Sequence, residues 1–176
     1  AQALSKLMKH YPIDMIYSSP LMRAYQTACL VFPNRSIIKD ERLKEMSFGD
    51  YEGRYVSELL NEEDYDALWN RPETFDRISH GESYAEVYAR LHSFLDELSS
   101  LKEEHHIFIA IHGMLYVILM SIIKEVPIKE LTTLNRSIIR GGALTIVSLE
   151  EHSYHLLKEA IDTHLDDTKT ISYTKK

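Results

Sequence analysis

The chain has 176 residues, of which 44% are hydrophobic, and a formal net charge of −7. That length fits one domain with a sizeable core, and the apolar content excludes a disordered chain. The acidic balance, with a pI of about 5.7, argues against nucleic acid or an anionic membrane as the main partner, while a small anionic substrate answers to local charge instead. In chain order, Leu4, Leu7, Met8 and Tyr11 fall at helical spacing, so the sequence opens in a helix with no strand before it. Asp14-Met15-Ile16-Tyr17-Ser18 is expected as a short strand. Ser19 is expected to cap, and Pro20 to begin, a helix through Leu21, Ala24, Ala28 and Val31. Ser36-Ile37-Ile38-Lys39 reads as a second strand.

The two-glycine segment Met46-Ser47-Phe48-Gly49-Asp50-Tyr51-Glu52-Gly53 reads as an irregular loop. A helix with Val56, Leu59 and Leu60 reaching towards Leu68-Trp69 comes next, then a polar loop to Gly81. Ser83 and Glu86 form a capping-box pattern. It opens an amphipathic helix whose stripe is Tyr84, Val87, Tyr88, Leu91, Phe94, Leu95 and Leu98. Ile107-Phe108-Ile109-Ala110-Ile111 is short, apolar and rich in β-branched residues, the pattern of a strand buried on both faces. The apolar run from Met114 to Met120 reads as a buried helix, and a further helix is expected over 128–134. Strands at 143–148 and 154–159 are expected to form a hairpin across Glu150-Glu151-His152, with a frayed tail over 167–176.

Cys29 is the only cysteine, which rules out an intrachain disulfide and a cysteine-based metal site and fits the cytoplasm. No apolar run is long enough for a membrane span, and no signal peptide opens the chain. His112 stands where the central strand turns into a helix, the place where open α/β sheets bind ligands and where free helix amides suit an anion. A histidine simply satisfied by a core hydrogen bond is the other reading. Arg23, one turn into its helix, can clamp an oxyanion or lie solvated on the surface. Glu45 sits between Leu43 and Phe48, and a carboxyl held against apolar groups can serve as a proton donor; a solvated loop glutamate is the alternative. Glu82 and Ser83 are accounted for by capping.

Several segments together resemble the histidine phosphatase, or phosphoglycerate mutase-like, superfamily. Tyr17-Ser18-Ser19-Pro20-Leu21-Met22-Arg23-Ala24-Tyr25-Gln26-Thr27-Ala28 is similar to its "SSPLxRAxQTA" segment. The stretch from Leu43 to Gly53 is similar to its "LxExxFGxxEG" loop. Gly81-Glu82-Ser83, Ile111-His112-Gly113 and Asp162-Thr163-His164-Leu165 resemble three further segments, in family order. The resemblance implies an α/β fold: a three-layer helix-sheet-helix domain over 1–176 with a mostly parallel central sheet.

It also implies a phosphomonoesterase working through a phosphohistidine. Glu45 would protonate the leaving alkoxide, and His112 and Arg23 would surround the phosphoryl oxygens. The backbone at Gly113 and Met114 joins Arg23 as the implied substrate-binding set, and neither a cofactor nor a metal is implied. His105 and His106, as neighbours on a strand, would point to opposite faces.

Two departures stand out. The family's Arg-His-Gly strand, which supplies the nucleophile and a second arginine, should precede Ala1. The chain is therefore expected to lack a first strand lying within ~20 to 40 upstream residues. His80-Gly81-Glu82-Ser83 mimics that motif without a buried strand before it. The second departure is Met114-Leu115-Tyr116, which stands where close relatives often have a small residue. The loop around Phe48-Gly49 looks more like the phosphatases than the mutases. A mutase, or a non-catalytic phosphate-binding or interaction module, is the alternative, and an open sheet edge would favour self-association into a homo-oligomer.

Overall fold

The computed structural model describes residues 1–134, 139–151 and 153–165. Strand β1 (Met15–Ser18) runs parallel to β2 (Ile38–Lys39) on one side and to β3 (Ile107–Ala110) on the other. Side chains alternate across a strand, and here the alternation divides the core in two. Ile16, Phe108 and Ala110 point to one face, where helices α1 (Gln2–Met8) and α2 (Met22–Val31) bury Leu4, Met8, Ala24, Ala28 and Val31 against them. Tyr17 points to the other.

Two short helices, α3 (Val56–Leu59) and α4 (Glu63–Asn70), precede the long α5 (Tyr84–Ser99), and α6 (Gly113–Ile123) follows β3. Leu68, Val87, Leu91, Phe94, Leu115 and Ile118 from these helices join Tyr17 in the second cluster. The result is the expected helix-sheet-helix sandwich with a parallel sheet. Ser83 and Glu86 make the expected capping box at the start of α5. Strands β4 (Leu144–Glu150) and β5 (Ser153–Ile161) form a separate antiparallel hairpin, in which β4 starts one residue later and ends two later than expected and β5 is longer at both ends. It is tied to α6 by Tyr116 Oη and Thr145 Oγ1 (2.9 Å) and by the Lys124–Glu159 ion pair.

Local differences from the sequence reading have physical causes. Helix α2 begins at Met22, with Leu21 as an N-cap that receives no side-chain hydrogen bond. Ser19 does not cap it: the Ser19 hydroxyl accepts from the Leu21 amide and reaches across the sheet end to His112 instead. The helix expected over 56–69 is two helices, because Glu62 is extended and breaks the run. The segment 128–133 is a tighter 3-10 helix. Only Ile38 and Lys39 of the second strand pair. Among the described residues β3 pairs along one edge alone, and accordingly Ile107 and Ile109 are half-buried where burial on both faces is expected. His152 and the tail over 167–176 lie outside the described residues.

Candidate active site

The carboxyl ends of β1 and β3 are locked together by the Ser19 amide, which donates to the Ala110 carbonyl at 2.9 Å. Two residues beyond β3, His112 is the N-cap of α6, extended in backbone and only 8% exposed. Arg23, the second residue of α2, donates through Nε to His112 Nδ1 at 3.0 Å. The other ring nitrogen, Nε2, lies 2.8 Å from Ser19 Oγ. Since Nδ1 accepts, the ring is a neutral imidazole with its proton on Nε2, donated to Ser19. Burial first, then the positive charges of Arg23 and Arg90, hold its pKa down at about 4.

Glu45 meets the same helix start. Its Oε1 accepts from the Leu115 amide (2.9 Å) and the Met46 amide (3.2 Å), and its Oε2 accepts from the Met114 amide (3.3 Å). A carboxylate there complements the free N–H groups and positive end of the helix. Three residues distant in sequence, Arg23, Glu45 and His112, thus converge on one turn of α6.

Gly113 is exposed at this turn, with open space where a Cβ would stand. Of Met114, the side chain is buried in the core and the amide donates to Glu45. His80, the mimic of the family motif, is highly exposed on a loop and bonds Asp50 Oδ1 at 2.8 Å. Asp162 pairs with Arg140, and His164 Nε2 donates to the Gly142 carbonyl, so that segment closes the ends of the hairpin. Among the described residues no group of three or more His, Cys, Asp or Glu is placed to hold a metal ion.

Two partnerships escape sequence reading. One is Ser19 with His112. The other is Glu82 with Arg90, a bidentate pair in which Nε reaches Oε1 at 2.8 Å and Nη2 reaches Oε2 at 3.0 Å. Glu82 therefore does more than precede a capping box. Ser18-Ser19 and Glu82 lie within the family-like segments, whereas Arg90 stands seven residues past one of them, and the pairings are long-range with no fixed spacing.

A parallel sheet with an imidazole, a guanidinium and a helix start gathered beyond its carboxyl ends defines an α/β protein suited to holding an oxyanion. The particular family follows from comparison with known proteins. This chain belongs to the histidine phosphatase superfamily, whose branch 1 model matches residues 1–162.

"Putative phosphoserine phosphatase 2" of Hydrogenobacter thermophilus is 33% identical over 67% of this chain, a stretch that spans 60% of that relative's own length. "Phosphoserine phosphatase 1" of the same organism is 26% identical over 95% of this chain and 79% of its own. Among solved structures, Bacillus stearothermophilus YhfR is similar with a TM-score of 0.83 and 26% identity, covering 94% of this chain and 82% of that one. No helix among the described residues is long and apolar enough to cross a membrane.

Proposed function

We propose that this chain forms the greater part of a phosphatase that hydrolyses a small phosphomonoester through a phosphohistidine intermediate. The observation that carries the reading is the convergence of Arg23, His112 and Glu45 on the first turn of α6. In this reading the nucleophilic histidine and a second arginine come from a strand N-terminal to Ala1, and the open edge of β3 is where that strand pairs.

The nucleophile's lone pair forms a P–N bond as the ester P–O bond breaks, and the departing oxygen takes a proton from Glu45. Arg23 and His112 hold the equatorial phosphoryl oxygens as charge builds on them, and the Gly113 backbone borders the same space. Water then attacks phosphorus, Glu45 receives its proton, and the histidine is released. The two Hydrogenobacter relatives make phosphoserine, a small alkyl phosphate, the first substrate to try. The acidic balance argues against nucleic acid as a partner, and the lone Cys29 is compatible with the cytoplasm.

The test uses the protein extended by its N-terminal segment, assayed with p-nitrophenyl phosphate and phosphoserine in the presence of a chelator. Net phosphate release is expected, with an acid-labile phosphohistidine trapped on rapid quenching. His112→Ala should lower kcat at least about 100-fold. Phosphoryl transfer within one substrate without phosphate release would point to a mutase instead, and binding without turnover to a non-catalytic relative.

A further inference from the structure

We infer that the Glu82–Arg90 pair is a positioning brace that holds the Glu45 loop in register with the start of α6; this inference rests on the phosphatase reading above. The loop carrying Glu45 belongs to no strand or α-helix, so its geometry must be imposed from outside. Arg90, on the second turn of α5, imposes it on one flank by donating through Nη1 to the Arg42 carbonyl at 2.5 Å. On the other flank, Glu82 Oε2 accepts from the Ser47 amide at 2.9 Å, and the Glu82 amide donates back to the Ser47 carbonyl at 2.9 Å.

The guanidinium fork and the carboxylate join these two anchors into one unit. Both side chains are largely withdrawn from water, 16% exposed for Arg90 and 26% for Glu82, so screening weakens the pair little. Between the anchors, Leu43 and Met46 are fully buried and fix the loop from the core side. Glu45 is left as the side chain pointing at the α6 amides. Gly81 completes the fit, because a Cβ there would lie 2.8 Å from the Ser47 carbonyl oxygen. A loosened brace would let the Glu45 carboxyl drift from the leaving oxygen while leaving Arg23 and His112, which sit on other elements, in place.

The experiment compares two substrates with the N-terminally extended protein. The phenolate of p-nitrophenyl phosphate departs without needing a proton, whereas the alkoxide of phosphoserine takes one from Glu45 as its P–O bond breaks. Glu82→Gln removes one side of the pair. Arg90→Lys keeps the positive charge that acts on His112 but removes the fork. Each variant should lower kcat/KM, which reports the steps up to phosphohistidine formation and not the hydrolysis common to both substrates, by about 30-fold on phosphoserine and by less than about 3-fold on the aryl ester.

In a Glu45→Gln background neither substitution should add more than about 2-fold to the phosphoserine defect. Thermal unfolding checks that each variant is folded, and Glu82→Gln serves alone if Arg90→Lys is not. Equal losses of kcat/KM on both substrates, or no loss on either, overturn the brace. A wild-type protein inactive on both overturns the phosphatase reading and this inference with it.

Discussion

Arg23 Nε and His112 Nδ1 are 3.0 Å apart, and this single contact fixes the tautomer of a buried histidine. With Nδ1 occupied as an acceptor, the proton resides on Nε2, where Ser19 receives it. The ring is therefore held neutral beside a guanidinium.

A stability prediction follows directly. The ring's pKa is lowered from 6.5 to about 4 in the folded protein. Between those values the unfolded chain takes up a proton that the folded one refuses, so stability falls as pH drops from about 6.5 to about 4. The integrated loss from this group is roughly 3 kcal/mol. Urea unfolding across this range should show that component in wild type and lack it in His112→Gln, whose other titrating groups are the same.

Ser19→Ala should cost about 1–2 kcal/mol, because Nε2–H loses its acceptor in a site closed to water. The ring is then no longer held by both nitrogens. Arg23 still donates to Nδ1, so nitrogen NMR of the imidazole at neutral pH should show the Nε2–H tautomer in wild type and Ser19→Ala alike, and a mixture in Arg23→Ala.

Gly49 and Gly53 offer a matched pair, since both have positive φ, +52° and +78°. A Cβ on Gly49 would lie 2.0 Å from the Ser79 carbonyl oxygen and 2.5 Å from the Gly81 amide nitrogen, whereas one on Gly53 meets nothing within 4 Å. Gly53→Ala should cost only the backbone term of about 1 kcal/mol. Gly49→Ala adds a backbone clash and should cost about 3 kcal/mol or more, read as a clearly larger drop in Tm.

Much of this fold was legible because period-2 and helical apolar patterns map onto burial. The stripe of α5 and its Ser83–Glu86 box stand where they were expected, and so does the turn from β3 into α6 at His112. Boundaries set by competition were not legible. Ser19-Pro20 is a good helix start by local chemistry, but the hydroxyl is drawn to an imidazole 93 positions away, and the helix begins at Met22. Arg23 and Glu45 stand out by motif and meet at the start of α6, whereas nothing in a linear pattern shows that a distant carboxyl is seated on the Met114 amide. Arg90 carries no local signal at all: on a helix surface it reads as solvated, and only the fold brings Glu82 and the Arg42 carbonyl to it.

The seat of Glu45 on α6 bears on product release. While the Glu45 carboxyl is bonded to the amides of Met114 and Leu115, those donors are closed to a phosphate ion. Inorganic phosphate is then gripped by fewer groups once turnover is complete, so a cell rich in phosphate would inhibit the protein less than its cluster of cations suggests.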